Sequence, residues 1–373
     1  MQITRLIIEN LRAVERLELK LADDAGQPRR RVVLIGANGV GKTTILDAVA
    51  HAFETLIGAQ GSGAKPLGAA DVRNVEDPSL DMTAPLRRSV VVLDAVLSDD
   101  ERRAGRRTYP SAPTAGLLRF EIGARSGADS FSFSLDDEVD ASEAVPEEDD
   151  TLGQSADVDI FGVAQDQGDL PISFEGPARA ALLKARAPCI LLPADRGVLE
   201  PSDELTLRQI RAFDPRRGCL SRARERFAPV AAHLALASVA KEGEEARSVE
   251  RMWKVLKKYF PALPQPIAHA DGLVLRFRNE RGASVPLLAL SEGERAILLI
   301  FGELAVRSPK GGGLVLIDEL EQHLHPRWQR AALEALVALL PSTQFIFTTQ
   351  SPYLAACAPD DVVELGDWKR DGE

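Results

Sequence analysis

Cysteine is scarce in this chain. Only Cys189, Cys219 and Cys357 occur among 373 residues. None stands in a C-x-x-C pair, so neither a disulfide framework nor a cysteine zinc site is indicated. Three scattered thiols read as small buried hydrophobes, reduced, of a cytosolic protein. A long apolar run is also missing. No stretch of about 18 apolar residues exists to span a bilayer, and the N-terminus lacks the build of a signal peptide. Any role at a membrane would need a partner to supply it. No sustained heptad repeat marks a long coiled-coil arm. Nor is there an excess of basic residues: Lys and Arg number 45 against 56 Asp and Glu, a formal charge of −11, with a pI of about 5.2. That balance argues against a protein that coats nucleic acid non-specifically, while a local basic face stays open. What remains is globular material, 45% hydrophobic with a mean hydropathy of −0.09. The length suits one large domain or two.

Residues 32–44, Val-Val-Leu-Ile-Gly-Ala-Asn-Gly-Val-Gly-Lys-Thr-Thr, organise the rest. The apolar run Val32 to Ile35 reads as a buried strand. It breaks at Gly36 into a glycine-punctuated loop, and from Thr44 a helical apolar period begins (Ile45, Leu46, Val49, Phe53, Leu56, Ile57). Strand, G-x-x-x-x-G-K-T, helix is the context a phosphate-binding loop requires. Gly36, Gly39 and Gly41 let successive backbone N–H groups point inward at phosphate oxygens. Asn38, Val40 and Thr44 complete the cradle, and the helix N-terminus adds partial positive charge. Lys42 is placed to reach the β- and γ-phosphates and the Thr43 hydroxyl to ligate Mg²⁺.

Elsewhere the pattern is coarser. Residues 2–21 alternate as two antiparallel strands with a break near Asn10-Leu11-Arg12. Arg29-Arg30-Arg31 reads as a solvated turn. Residues 58–88 read as loop. Ser89 to Leu97, Leu117 to Ala124 and the alternation Phe131, Phe133, Leu135 read as a small antiparallel sheet, with Arg102, Arg103, Arg106 and Arg107 in an exposed turn. Asp136 to Asp150 is acidic and poor in apolar residues, and with the stretch to about residue 170 it reads as a mobile insertion. Residues 177–187 look helical, and Cys189 to Leu192 is a second buried strand. It ends near Asp195-Arg196, a pair that fits a ligand contact and a strand-end ion pair equally well. Residues 203–260 are mostly helical, with one stripe through Leu205, Leu207, Ile210 and Phe213 and another through Val249, Met252, Trp253, Leu256, Tyr259 and Phe260. Lys254, Lys257 and Lys258 lie outside that second stripe. Leu273 to Arg278 reads as a strand.

Two motifs follow. Ser291-Glu292-Gly293-Glu294 opens the apolar helix Ala296 to Val306, and a capping box accounts for part of that spacing. Leu314 to Ile317 is then a buried strand ending in Asp318-Glu319. One acid at such a strand end can hold Mg²⁺ and its neighbour can take a proton from attacking water. Glu321 and His325 stand four apart but lack the first histidine of a zinc H-E-x-x-H motif, so no zinc site is read. Pro326 suits the first position of the helix Arg327 to Leu340. The last core strand, Thr343 to Thr349, ends at Gln350-Ser351-Pro352, and a short strand Val362 to Leu365 closes the chain.

With these motifs in order, the chain resembles the ABC-type ATPases of the RecF/SMC/OLD group. The resemblance runs from the N-terminal hairpin through Walker A, insertion, signature, Walker B, D-loop and switch strand. It implies an α/β P-loop NTPase of ABC-ATPase type, with a mixed or parallel core sheet flanked by helices. An N-terminal antiparallel β-subdomain and an inserted helical subdomain complete that expectation. The implied division is 1–135 (lobe I), 136–170 (insertion), 171–200 (core strand and flanks), 201–270 (helical subdomain) and 271–373 (lobe II). By this resemblance Lys42, Thr43 and Asp318 bind ATP and Mg²⁺, Glu319 is the general base, and Arg12 contacts nucleotide. Ser291 and Gly293 complete the nucleotide site of a second copy of the chain.

The chain departs from the group at two motifs. The signature is Ser-Glu-Gly-Glu, which points away from transporter subunits, and the switch residue is Gln350 where histidine is usual. A glutamine amide still donates a hydrogen bond but carries no proton, so slower turnover is expected. The glutamine loop of the family has only weak candidates in Gln60, Gln165 and Gln167. A nuclease domain of the OLD kind is not expected in Gly366 to Glu373, and the long arms of SMC proteins are not expected either. The resemblance is therefore to stand-alone ATPase subunits of bacterial antiphage systems, such as Septu and retron-linked ones, which act with a separate nuclease or toxin effector. A RecF-like repair ATPase acting on DNA is the alternative, and a transporter subunit is disfavoured.

Overall fold

The computed structural model describes residues 2–12, 14–58, 88–96, 117–125, 189–194, 227–239, 242–267, 276–278 and 282–366. The chain divides into two compact units. One comprises Met1–Arg29, Asn38–Ala187 and Gly366–Glu373, the other Arg30–Ala37 and Pro188–Leu365. The chain passes from the second unit back to the first inside the glycine loop, between Ala37 and Asn38.

In the first unit, the alternating N-terminal residues fold as β1 (Gln2–Leu11) and β2 (Val14–Lys20), antiparallel from Arg5↔Lys20 to Leu11↔Val14. Alternation buries Leu6, Ile8, Leu17 and Leu19, and Ile3, Leu11 and Val14 are buried as well. The reversal is tight, with Asn10 and Arg12 at positive φ (53° and 49°). β4 (Arg88–Val96) and β5 (Leu117–Arg125) pair antiparallel, as their alternation indicates, and the sheet they form extends to the N-terminal hairpin. β4 pairs antiparallel with β1, giving the order β2-β1-β4-β5. The buried sides of β1 and β4 are both apolar, so one continuous sheet covers more surface than two small ones. Helix α1 (Lys42–Gly58) packs on β1 and β4 through Ile45, Leu46, Val49 and Phe53.

The second unit is built on a five-stranded, all-parallel sheet of order β12-β3-β11-β10-β6. Its strands are β12 (Val362–Glu364), β3 (Arg31–Ile35), β11 (Gln344–Thr349), β10 (Leu314–Ile317) and β6 (Cys189–Leu192). β10, β11 and β6 are buried along their whole length, which is why they read as unbroken apolar runs. Arg31 does not stand free in solvent: its guanidinium pairs with Asp361 at 2.7 Å.

Helices α2 (Phe227–Val239), α3 (Glu244–Tyr259), α4 (Glu292–Arg307) and α5 (Pro326–Leu339) belong to this unit. α4 is buried from Ala296 to Arg307 and packs against α2 and α3. A helix apolar all round belongs inside, and each fully buried Leu or Ile there contributes about 1.5–3 kcal/mol. Edge-on aromatic contacts link Phe260 to Phe301 and to Trp328. Glu303 and Arg307 form a buried ion pair on α4 at 2.5 Å. The stripe Val249, Met252, Leu256 is buried while Lys254, Lys257 and Lys258 face solvent. A small antiparallel sheet β7-β8-β9 (Gln265–Ile267, Arg276–Arg278, Ser284–Pro286) precedes α4. Several readings fall outside the described residues. These are the strand at Phe131 to Leu135, the insertion 136–170, the helix 177–187, Asp195-Arg196, the stripe 205–213, Cys219, the arginines 102–107 and the three glutamine-loop candidates.

Candidate nucleotide site

The glycine loop follows β3. Gly36 and Ala37 belong to the second unit, and Asn38 to Thr44 to the first. Gly39 and Gly41 adopt φ of +78° and +98°, a region that side chains other than glycine's enter at a cost. At Gly41 space also decides, since an added Cβ would lie 2.8 Å from Val14 Cγ2. The helix starts earlier than its apolar period shows. Lys42 is already helical, and Ile45 N–H donates to Gly41 C=O at 2.9 Å. Lys42 and Thr43 are polar, so hydrophobic periodicity is blind to them. Lys42 is buried, Thr43 exposed, Val40 and Thr44 buried. Arg12 is held beside this helix by a 2.6 Å ion pair to Asp47, one turn into α1.

In the second unit, the parallel register Ile317↔Phe347 brings the ends of β10 and β11 side by side. Asp318 and Glu319 leave β10 there, and Thr348 and Gln350 meet them. Asp318 is 4% exposed, and its Oδ1 accepts the Thr348 hydroxyl at 2.5 Å. The same Thr348 Oγ1 accepts the Glu319 backbone N–H at 2.8 Å. Gln350 Nε2 donates to Glu319 Oε1 at 2.5 Å. Glu319 stands at φ +47°, a left-handed conformation that costs a non-glycine residue about 1–3 kcal/mol and occurs where surrounding contacts enforce it. One hydroxyl and one amide therefore pin both acids.

The turn after Glu319 is equally constrained. Gln350 N–H donates to Glu321 Oε1 at 2.6 Å. Glu321 Oε2 is shut off from solvent without a hydrogen-bond partner among the described residues, a cost of about 1–3 kcal/mol. His323 is at φ +64°, and its Nδ1 lies 3.3 Å from Glu292. Gln329, 8% exposed on α5, donates to Leu324 C=O and accepts the Ser351 hydroxyl. His325 caps α5, with Pro326 at its first position.

Ser291 caps α4 in a full capping box: Glu294 N–H reaches Ser291 Oγ, and the Glu294 carboxylate takes Ser291 N–H at 2.7 Å. Gly293 sits directly over the turn of Glu319 to His325. A Cβ there would come within 2.8 Å of His323 backbone oxygen. Within this unit the fold thus gathers Asp318, Glu319 and Gln350, and seats Gly293 against the turn that follows them. Sequence reasoning missed Thr348, Gln329 and the role of Glu321. The only trace of the first is a polar residue near the end of an otherwise apolar strand.

Known proteins bear on this arrangement. An SMC head bound to the C-winged helix domain of ScpA aligns over 98% of this chain and 94% of its own, with a TM-score of 0.53 at 15% identity. An SMC head with extended coiled coil from Pyrococcus furiosus, bound to the C-terminal domain of ScpA, aligns over 97% and 93% with a TM-score of 0.51 at 13% identity. The fold is that of an SMC head. In sequence, residues 193–356 of this chain match the family described as "AAA domain, putative AbiEii toxin, Type IV TA system". The chain is 30% identical over 107 residues to the Retron Vc95 probable ATPase of Vibrio cholerae serotype O1 biovar El Tor, covering 26% of this chain and 20% of that protein. It is 38% identical over 84 residues to the Retron Ec83 probable ATPase of Escherichia coli, covering 20% and 16%. It is 46% identical over 55 residues to the Septu protein PtuA of Bacillus thuringiensis, covering 14% of each. The matched stretch is thus a fifth or less of each relative's length. The chain is therefore similar in sequence to two retron proteins named as probable ATPases and to a Septu protein PtuA. Among its described residues, no helix is long and apolar enough to cross a membrane.

Proposed function

We propose that the protein hydrolyses ATP and that two copies close on the nucleotide. Lys42 and the backbone of Gly36, Asn38, Gly39, Val40, Gly41, Thr43 and Thr44 hold the phosphates, and Arg12, steadied by Asp47, faces the nucleotide. The donor set fits Mg²⁺, since the Thr43 hydroxyl and the Asp318 carboxylate are hard oxygen ligands and Asp318 is pinned by Thr348. Bound Mg²⁺ would neutralise phosphate charge. Glu319 takes a proton from the attacking water, and the Gln350 amide orients that carboxylate. Ser291 and Gly293 of each copy cap the nucleotide of the other, so ATP joins the copies and its hydrolysis releases them.

The observation that carries this reading is the joint fixing of Asp318, Glu319 and Gln350 at neighbouring strand ends. A lone strand-end acid would need no such array. The ATPase names of the sequence relatives support the same reading. Their retron and Septu names support a role beside a separate nuclease or toxin effector in antiphage defence.

Phosphate release from Mg-ATP tests the chemistry. Glu319→Gln is expected to lose about 10²- to 10⁴-fold in kcat while still binding ATP, and Lys42→Ala to bind little nucleotide. Gln350→His is expected to turn over at least as fast as the parent. In size-exclusion chromatography with ATP, Glu319→Gln is expected to run as a dimer. A monomer there rejects the shared site.

A further inference from the structure

We infer that Glu321 is a positioning residue for ATP hydrolysis, acting through Gln350 on Glu319; this rests on the reading of Glu319 as the base. β11 ends at Thr349, so the Gln350 N–H has left the sheet ladder and needs another acceptor. Glu321 Oε1 supplies it at 2.6 Å. From that anchored backbone the Gln350 side chain donates to Glu319 Oε1. Gln350 is thus clamped between two residues of a single turn, its backbone on Glu321 and its amide on Glu319. Glu319 occupies a left-handed conformation that surrounding contacts must enforce, and the Gln350 amide on its carboxylate is one of them.

A neutral acceptor would satisfy one backbone N–H. Glu321 is instead a carboxylate whose second oxygen is buried with no partner among the described residues. A side chain kept at that cost calls for an explanation beyond folding. An ionised acceptor makes the shorter, stronger, charge-assisted bond that rigid aiming of Gln350 needs. The hydrogen bond that the Glu321 side chain makes is to the Gln350 backbone, so its effect passes through Gln350.

The test is steady-state ATP hydrolysis by the full chain carrying Glu321→Ala, Glu321→Gln, Gln350→Ala and the Glu321→Ala/Gln350→Ala pair. Glu321→Ala is expected to lower kcat about 10- to 100-fold, with KM for ATP within about 2-fold of the parent. Glu321→Gln keeps a carbonyl acceptor in place but gives up the charge-assisted bond, and is expected to restore only part of that loss. The pair is expected to be no slower than the slower single variant, because both act through one contact. Effects that multiply, or a Glu321→Gln variant as slow as Glu321→Ala, overturn the inference. Where Glu321→Ala does not fold, Glu321→Asp takes its place: it retains the charge but withdraws the acceptor, and parental kcat in it overturns the inference equally. Failure of the underlying reading looks different. If the parent hydrolyses no ATP, or Glu319→Gln is as fast as the parent, both fall together. If Glu319→Gln is inactive while Glu321→Ala is normal, only the role of Glu321 falls.

Discussion

Thr348 is the residue on which the second unit's acids depend. Its one hydroxyl donates to Asp318 and accepts from the Glu319 backbone, so it sets the spacing of the two acids. Thr348→Val preserves shape and removes both bonds. It is expected to cost about 1–3 kcal/mol, as buried polar groups lose a partner. It should also slow hydrolysis by more than Gln350→Ala, because it releases both acids where the latter releases one. Urea unfolding and phosphate release measure the two effects, and a stable variant of normal rate refutes the assignment. Legibility at this scale was uneven. Lys42 stands out because it lies in a G-x-x-x-x-G-K-T motif, and Asp318 and Glu319 because they end an apolar run. Thr348 hides because threonine also suits a buried strand, and its partner lies 30 positions away.

At the scale of elements, two glycines of α4 mark close approaches of different kinds. A Cβ on Gly293 would meet a backbone oxygen of His323 at 2.8 Å, whereas one on Gly302 would meet the tip of Leu234 at 2.7 Å. A leucine tip can change rotamer, but a carbonyl in a constrained turn cannot move alone. Gly293→Ala is therefore expected to cost about 1–3 kcal/mol and to weaken ATP-dependent self-association, with Gly302→Ala milder on both counts. Thermal melts and size-exclusion chromatography with ATP compare them; equal effects contradict the distinction. The Ser291 capping box was visible as a spacing of serine and glutamate. That Gly293 lies over the turn containing His323 was not, because only the fold sets α4 there.

For the molecule as a whole, charge is the guide. A formal charge of −11 opposes general attraction to a polyanion, which favours the regulator reading over direct action on DNA. Duplex DNA at physiological salt is expected to bind no more tightly than the about 10⁻⁶ to 10⁻⁴ M of non-specific association, and to leave ATP turnover unchanged. Fluorescence anisotropy with a labelled duplex checks this, and tight binding with stimulated hydrolysis moves the protein to the repair class.

The sequence by itself determined the glycine loop between strand and helix, the buried strands, the cap of α4 and the order of motifs. Each of these is a local matter: glycine freedom, apolar runs and capping spacings act within a dozen residues. Tertiary structure alone decided that β4 joins β1 in one sheet and that β10 and β11 lie side by side. It also decided that Thr348, Gln350 and Glu321 close around Glu319. Those contacts span from about 30 to 90 residues. Pairing over such separations follows from strand order and register, which no local pattern encodes.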